Sequence, residues 1–248
     1  MDLQGRLYPE SRVGGFSRAD GGVEFYQRVA ALLRPEMIVL DFGAGRGSFL
    51  DDRSTYRRDL ARMQGRVASV IGVDVDDAVL RNPSLDEAYV VKADGTLPLA
   101  DESVDLVVSS FVFEHLGDPG KAAGELERVL RPGGWVCART PNKWGYIGVG
   151  ARLVPNSLHV RMLRRLQPGK NAEDTFPTAY RLNAPSALRK YFPGNRFAHF
   201  IYTQDSEPAY FGGSKVAWRT MQVLFRLTPP ALGATLFIFL QKRPGLGR

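Results

Sequence analysis

The chain has 248 residues, of which 44% are hydrophobic, and its formal net charge at neutral pH is +7. This length and apolar content suffice for the core of one large α/β domain, and they exclude an intrinsically disordered chain. The single cysteine excludes an internal disulfide framework and a cysteine-based zinc site, and no uninterrupted apolar run reaches the roughly 18 residues of a membrane span.

Strands and helices are predicted to alternate along the first 144 residues. Apolar runs predict strands over 37–42, 67–75, 89–92, 104–109 and 135–139. Helical spacing and capping residues predict helices over 22–34, 48–63, 76–80 and 114–130, the last with a second start at 118–119. Such alternation is typical of βαβ units around a parallel sheet.

The pattern changes after residue 144. Two further strands are predicted over 197–203 and 235–240, with a helix over 215–227 between them. The stretch 145–190 is basic and has little strand signal, so we expect a helical insertion over the mouth of the sheet. We therefore expect one domain over residues 1–248, made of an N-terminal arm (1–21), a core that carries the ligand site (22–144), the insertion (145–190) and C-terminal elements that complete the sheet (191–248).

The first predicted strand leads into a glycine-rich turn. The run 38–42 is apolar apart from Asp41, and Gly43, Gly45 and Gly47 follow it. These glycines let the backbone turn sharply and approach a ligand closely. A helix after the turn would direct unpaired N–H groups at that ligand, but Asp41 would repel a phosphate. The loop therefore favours a cationic or zwitterionic ligand over a pyrophosphate.

Two more acids follow predicted strands. Asp74 ends the second strand, where a carboxylate can accept both hydroxyls of a ribose, and Asp94 with Gly95 follows the third, where it can accept from an adenine amino group. The carboxyl ends of parallel strands share one edge of a sheet, which is where ligands bind in open α/β folds. Together with Asp41, these acids indicate an adenosine-bearing ligand without phosphate. A strand-end cap, a helix cap and an ordinary Asp-Gly turn are the respective structural alternatives for Asp41, Asp74 and Asp94.

These elements together resemble class I S-adenosylmethionine-dependent methyltransferases, in the group that includes enzymes of ubiquinone and menaquinone biosynthesis (methyltransferase type 11). The resemblance covers about residues 22–144, with six motifs in the usual order: Val39 to Gly47, Gly72 to Asp74, Ala93 to Leu99, Ser103 to Ser109, Phe113 to Leu116 and Leu130 to Gly134. It implies an α/β fold with a Rossmann-like, doubly wound sheet of seven mostly parallel strands, an antiparallel last strand and a helical insertion after the fifth. The long charged stretch 51–66 departs from the family pattern and puts the first crossover helix in doubt.

The resemblance also implies which residues contact the cofactor, S-adenosylmethionine. The glycine loop lines its methionine part with Asp41 near the amino group, and Asp74 holds the ribose hydroxyls. Ser110 and Phe111 pass beneath the sulfonium. The implied cofactor-binding residues are Asp41, Gly43, Ala44, Gly45, Gly47, Asp74, Val75, Asp94, Gly95, Ser110 and Phe111. No metal is expected.

A nicotinamide-dependent dehydrogenase is the competing interpretation of the glycine loop. Gly43, Gly45 and Ser48 nearly satisfy the spacing of a dinucleotide site. However, Asp41 would repel the pyrophosphate, and the next strand-end acid lies 27 residues after Gly47 rather than the roughly 20 expected. The later motifs have no role in a dehydrogenase, so we do not favour this interpretation.

Two residues are candidates for direct roles in methyl transfer, His115 and Asn142. In-line displacement at a sulfonium depends mainly on positioning, and a base is needed only if the acceptor must lose a proton. His115 follows the fourth strand and is the candidate base, because histidine changes charge near neutral pH. Structural packing at a helix start is its alternative role. Asn142 lies in the turn after the fifth strand and is the candidate hydrogen-bond donor to an acceptor.

The net charge is divided unevenly between the two parts of the chain. Residues 1–144 carry 18 Lys and Arg against 22 Asp and Glu, whereas residues 145–248 carry 15 against 4. A basic part of this kind favours an acidic partner, such as a phosphate-bearing or lipid-linked acceptor, an anionic membrane surface, or nucleic acid. A solvated basic surface without a partner explains the same charge and stays open.

Three functions stay open at this point. The first is methyl transfer to a small polar, sugar-, lipid- or quinone-like acceptor, by a cytoplasmic protein that can contact the inner face of an anionic membrane peripherally. The second is methyl transfer to RNA or protein. Nucleic acid is not favoured, because no RNA-binding module is recognisable and the run 109–112 lacks the Pro-Pro motif of base-amine methyltransferases. The third is a non-catalytic cofactor-binding or membrane-surface protein. The oligomeric state is not predicted.

Overall fold

The computed structural model describes residues 3–146, 149, 178–207 and 215–244. The strands are β1 Ile38–Phe42, β2 Ser69–Asp74, β3 Glu87–Val90, β4 Val104–Ser110, β5 Leu130–Pro141, β6 Phe197–Gln204 and β7 Thr235–Lys242. They form one sheet with the order β3-β2-β1-β4-β5-β7-β6. β1 to β5 run parallel to one another, whereas β7 is antiparallel to both β5 and β6.

This topology confirms the predicted Rossmann-like sheet with an antiparallel last strand. The central strands are apolar because they are covered on both faces, and Val39, Leu40 and Val107 are fully buried. The strand order reverses between β1 and β4, so the connections leave these two strands in opposite directions. A crevice outside the carboxyl ends of β1 and β4 is the usual ligand site of such sheets.

Helices cover the two faces of the sheet. The described helices are α1 Leu3–Leu7, α2 Gly21–Leu32, α3 Thr55–Ala61, α4 Pro119–Val129, α5 Pro185–Tyr191 and α6 Lys215–Leu227. Phe25 of α2 joins a buried cluster with Val39, and Leu126 of α4 and Leu188 of α5 join another with Leu40. Val39 and Leu40 belong to different clusters because successive side chains of a strand point to opposite faces.

The single helix predicted over 48–63 is wrong. Residues Ser48–Asp51 form a short 3₁₀ helix, and α3 begins only after Ser54. Asp52 Oδ1 accepts from the Ser54 N–H at 2.8 Å, and the Ser54 hydroxyl caps α3 by accepting from the Arg57 N–H at 3.4 Å. Side-chain bonds of this kind compete with the helical backbone ladder and interrupt the helix.

The helix predicted over 114–130 is shorter than expected at its start. It begins at Pro119, with Asp118 as an N-cap whose carboxylate accepts from the first turn. The second start at 118–119 is therefore confirmed, and Phe113–His115 forms a separate 3₁₀ helix.

Most of the predicted insertion 145–190 lies outside the described residues. Its described residues are 145–146, 149 and 178–190, and the last of these ranges contains most of α5. Among the helices that the structure describes, none combines the length and the hydrophobicity that a membrane crossing requires.

Candidate active site

The glycine loop lies at the carboxyl end of β1, against the end of β2. The N–H groups of Gly43 and Ala44 donate to the Val73 carbonyl at 2.8 and 3.1 Å. Gly43, Gly45 and Gly47 have φ angles of +80°, +50° and +77°, in the left-handed region that glycine tolerates. The loop is followed by the 3₁₀ helix 48–51 rather than by the long helix expected.

Two of these glycines are also required by packing. A side chain at Gly43 would collide with Val112, and one at Gly47 would collide with Asn82. Asn82 braces the loop as well, because its Nδ2 donates to the Gly45 carbonyl at 3.1 Å. Asn82 was not among the predicted site residues, because an Asn before a proline predicts only the end of a helix.

Asp74 faces the loop from the end of β2. Its Oδ2 accepts from the Gly45 N–H at 2.9 Å, and its Oδ1 accepts from the Asp76 N–H at 3.0 Å. A side chain on Gly45 would meet nothing closer than this carboxylate at 4.0 Å, so the space beside Gly45 is open. Asp76, not Asp74, caps the following 3₁₀ helix. The Asp74 oxygens retain lone pairs for further donors such as ribose hydroxyls.

Asp41 carries a perturbed carboxyl group. It lies in β1 between Gly72 of β2 and Val108 of β4 in register. Burial, followed by the nearby Asp74 carboxylate, raises the pKa of Asp41 from 3.8 to about 7. Both causes disfavour the negative charge, and a cation beside Asp41 would stabilise it again. This side of the crevice therefore suits a positively charged ligand.

Asp94 and Gly95 form a turn after β3. The Gly95 N–H donates to the Lys92 carbonyl at 2.8 Å, and Asp94 Oδ1 accepts from the Thr96 N–H at 3.0 Å. That hydrogen bond is the main cause that lowers the pKa of the exposed Asp94. The geometry is an Asp-Gly turn, and adenine contact stays a prediction. Val75 next to Asp74 is 69% exposed and offers an apolar surface at the same edge of the sheet.

Ser110 and Phe111 lie at the carboxyl end of β4, beside Arg139 of β5. Ser110 pairs with Arg139 in register, and the Phe111 N–H donates to the Arg139 carbonyl at 2.8 Å. Phe111 has a φ of +58°, a left-handed conformation that a bulky residue adopts only under constraint. Its ring is 43% exposed, so the strained turn presents an aromatic surface to the crevice.

The Arg139 side chain was not predicted to be part of the site. Its Nε donates to the Ser110 hydroxyl at 2.8 Å. The guanidinium lies 5.3 Å from the ring centres of Phe25 and Tyr26 in α2, and 4.9 Å from that of Phe111. The available sequence signal was a lone cation near the carboxyl end of a predicted apolar strand.

His115 lies in the 3₁₀ helix after β4, where its side chain is partly buried. Its Nε2 is 4.0 Å from Oε1 of Glu114. Glu114 is buried, and its Oε2 accepts from the Thr140 hydroxyl at 2.7 Å. Asn183 donates to the same Thr140 hydroxyl at 2.6 Å. The candidate base thus adjoins a braced carboxylate, and its catalytic role stays a prediction.

Asn142 has a different environment from the one predicted. It is buried, and its Nδ2 donates to the carbonyls of Ala231 and Gly233 at 3.0 and 2.8 Å. Its Oδ1 accepts from the Trp144 N–H at 3.1 Å. Both amide hydrogens are used within the fold, so the structure supports a bracing role for Asn142 and not donation to an acceptor.

A cavity of about 600 Å³ lies away from this crevice, and its walls contain none of the predicted site residues. Its charged side chains pair with one another, as in the contacts of Arg196 with Glu127 at 2.8 Å and Arg128 with Asp101 at 2.7 Å. This cavity therefore gives no sign of a ligand.

Comparison with known proteins gives a family match over the central part of the chain. Residues 40–138 match the family model described as a methyltransferase domain. These residues include the glycine loop, Asp74, the Asp-Gly turn and the end of β4.

Curated relatives match along similar lengths. The chain is 38% identical over 130 residues to a Mycolicibacterium smegmatis protein named "probable S-adenosylmethionine-dependent methyltransferase", covering 50% of this chain and 46% of the relative. It is 34% identical over 147 residues to a malonyl-[acyl-carrier protein] O-methyltransferase of Methylococcus capsulatus, covering 51% of this chain and 50% of that protein. The chain thus spans about half the length of the curated relatives that it matches.

Solved structures share the fold over most of the chain. A SAM-dependent methyltransferase from Archaeoglobus fulgidus aligns with a TM-score of 0.53 at 18% identity, covering 97% of this chain and 100% of that one. An S-adenosylmethionine-dependent methyltransferase from Mesorhizobium loti aligns with a TM-score of 0.50 at 16% identity, covering 90% and 99%. At these identities the likeness concerns the fold alone.

Proposed function

We propose that the protein transfers a methyl group from S-adenosylmethionine to a small-molecule acceptor, because residues 40–138 match a methyltransferase domain and a curated relative is named a probable S-adenosylmethionine-dependent methyltransferase. When bound, this cofactor supplies a methyl group on a sulfonium, which a nucleophile displaces in line. The observation that carries the proposal is the Asp74 carboxylate beside the open space at Gly45, together with Asp41, which lies close enough for the Asp74 charge to raise its pKa.

The described residues fit this cofactor group by group. Asp41, whose pKa is raised by burial and by a like charge, suits the cationic amino end. Asp74 is held by the Gly45 N–H and retains acceptor capacity for the ribose hydroxyls. The exposed Val75 suits the apolar face of the base. A pyrophosphate would meet two carboxylates here, so a dinucleotide fits this loop poorly.

The acceptor is proposed to bind over β4 and β5, next to Ser110 and Phe111. This places the reacting end of the acceptor on the side of the crevice opposite to Asp74. His115 would serve as a base only for an acceptor that must lose a proton, such as a hydroxyl or a protonated amine. An acceptor that is already an anion would need positioning alone.

Calorimetric titration with S-adenosylmethionine tests the cofactor half of this proposal. We expect binding by the wild-type chain and none of NADH or ATP under the same conditions. The absence of S-adenosylmethionine binding at about 1 mM, several powers of ten above an ordinary micromolar affinity, would contradict the proposed function. A screen of sugars, quinone precursors, lipid precursors and acyl groups with labelled cofactor would then identify the acceptor.

The alternatives for the acceptor are separable by experiment. The name of the Methylococcus relative describes an acyl group borne on a carrier protein. Acids carried on a protein are therefore candidate acceptors as well as small molecules. Methyl transfer to RNA or protein is the second candidate, and the basic part of the chain is its only support. A gel shift with RNA at two salt concentrations distinguishes it, because phosphate contacts weaken steeply with salt.

Peripheral contact with an anionic membrane is proposed as a property of α6. Val216, Val223 and Leu227 are 77%, 54% and 75% exposed on this helix, which also carries Arg219 and Arg226. Exposed apolar residues among arginines are typical of interfacial helices. We expect co-sedimentation with vesicles that contain phosphatidylserine, weakened by salt and by Val223→Asp. Equal recovery with neutral vesicles would argue against it.

A further inference from the structure

Arg139 carries a positive charge that the described part of the chain leaves largely unpaired. Its Nε donates to Ser110, but neither terminal nitrogen donates to an acceptor among the described residues. The acids that influence it electrostatically include Asp20 and Glu114. Asp20 already caps α2 and accepts from Arg57 at 2.8 Å, and Glu114 accepts from the Thr140 hydroxyl. In these hydrogen bonds both carboxylates accept from groups other than Arg139.

The surroundings of Arg139 withdraw it partly from water. Its guanidinium is enclosed by the rings of Phe25, Tyr26 and Phe111. Burial is the main cause that lowers the pKa of this arginine, although an arginine stays protonated in proteins. Aromatic faces stabilise a cation only in part, and a partly desolvated charge gains strongly from an ionic partner. A forked donor held in this way is suited to an oxyanion.

The position of Arg139 connects it with the proposed reaction. Arg139 lies at the carboxyl end of β5, adjacent in register to Ser110 at the end of β4. Asp41 lies one strand further along the same edge, paired with Val108 of β4. The arginine is thus separated by β4 from the acidic residues assigned to the cofactor, on the side left for the acceptor.

The geometry points to Arg139 as an acceptor-binding residue that holds an anionic group, a carboxylate or a phosphate, of the methyl acceptor. That the bound anion belongs to the methyl acceptor depends on the proposed function. That an anion binds here at all depends only on the contacts of Arg139. The terminal nitrogens of the guanidinium can donate to two oxygens at once, which a lysine cannot reproduce. The rings of Tyr26 and Phe111 beside it suit an apolar or planar group attached to the anion.

Nuclear magnetic resonance of arginine Nε–Hε groups tests the anion site without knowledge of the acceptor. The full chain is titrated with acetate, benzoate and methyl phosphate at constant ionic strength, with chloride as the reference anion. The Arg139 resonance is assigned by its absence in Arg139→Lys. We expect a saturable shift of this resonance with at least one probe. The carboxylates and methyl phosphate show separately which of the two anions the site prefers.

Variants decide whether the anion binds to Arg139 itself. We expect Arg139→Gln to weaken binding of the best probe by about 10- to 100-fold, the range for a hydrogen bond to a charged group. Arg139→Lys should weaken it by at least about 3-fold, because the charge stays but the fork is lost. The control is Arg34→Gln, which removes the same charge from an exposed pair with Glu36 and should change nothing. Probe binding is followed in the variants by the resonances of neighbouring backbone amides.

The outcomes separate this inference from the proposed function. If S-adenosylmethionine binds but no probe gives a saturable shift up to about 100 mM, well above millimolar affinity, the anion site is wrong. Wild-type anion affinity in both Arg139 variants, or an equal loss in Arg34→Gln, overturns it as well. If Arg139→Gln does not fold, Arg139→Lys decides, with unchanged cofactor affinity as the measure of its integrity. Failure of S-adenosylmethionine binding contradicts the proposed function instead.

Discussion

The two sides of the strand-end crevice carry opposite charges. On the β1–β2 side, Asp74 faces the glycine loop, and the nearby Asp41 has a pKa raised to about 7. On the β4–β5 side, the Arg139 guanidinium lies among three aromatic rings. Under the proposed function, this difference matches a cationic cofactor to the acidic side and an anionic acceptor to the basic side. It also orders the experiments, because a change on one side should leave the other intact.

Closing the open space on the acidic side should have the largest effect. Gly45→Val puts a side chain into the space beside Asp74 and into a backbone with φ of +50°. We expect the affinity for S-adenosylmethionine to fall by more than about 100-fold, equivalent to roughly 3 kcal/mol. Calorimetric titration of the variant measures this loss.

The matched control is Gly65→Val. Gly65 has a φ of +78°, and a side chain there meets nothing within 4 Å. Its free energy of unfolding should fall by about as much as that of Gly45→Val, because valine is strained at both left-handed positions. Its cofactor affinity should stay normal. A Gly45→Val protein that retains bound cofactor would contradict the assignment of the loop.

Removing the Asp74 charge should have the next largest effect. Asp74→Asn keeps the shape but weakens the hydrogen bonds to the ribose, and we expect the cofactor affinity to fall by about 10- to 100-fold. Asp76→Asn, two residues away, serves as the control and should bind normally. Binding of the best anion probe at Arg139 should be unchanged in both variants. A parallel loss of anion binding would show that the two sides are not independent.

The pH dependence of cofactor binding tests the charge of Asp41. If the cofactor binds the ionised carboxylate and the pKa in the free protein is about 7, the affinity at pH 6 should be about tenfold lower than at pH 8. Calorimetry across this range measures the slope. Asp41→Asn should bind weakly with no such slope, so a slope that persists in the variant belongs to another group.

The smallest expected effect concerns the stability of the free protein. The pKa of Asp41 is higher in the folded chain than in the unfolded one, so its contribution to stability is present below about pH 4 and is lost as the pH rises through 7. The asparagine of Asp41→Asn does not ionise, so the variant keeps this stability at high pH. We expect its free energy of unfolding at pH 8 to exceed that of the wild type by about 1 kcal/mol or more, and the gain to disappear near pH 4. Urea unfolding at both pH values measures it.

The acidic side was largely predictable because its parts are local in the chain. The strand, Asp41 and the three glycines are consecutive, so their order alone places them at one strand end. Asp74 follows by the same rule at the next strand. The break before α3 was also readable in principle, since Asp52 and Ser54 are residues whose side chains bond to nearby backbone.

Other features depended on contacts between distant segments. Asn142 was predicted to donate to an acceptor from a turn, but the carbonyls of Ala231 and Gly233, about 90 positions away, accept both of its amide hydrogens. Asn82 braces the glycine loop across nearly 40 positions of sequence. Nothing in the neighbouring residues of either asparagine specifies such a partner.

The sequence by itself determined the strands, the glycine loop and the acidic residues at the strand ends, because periodicity and strand-end position are properties of short segments. The tertiary structure alone decided the basic side. Phe25 and Tyr26 of α2, Phe111 after β4 and Arg139 of β5 are separated by up to 114 positions, and only the packing of α2 across the strand ends brings them together. A charge enclosed by distant aromatic residues leaves no local pattern, which is why the arginine became a candidate only in the folded chain.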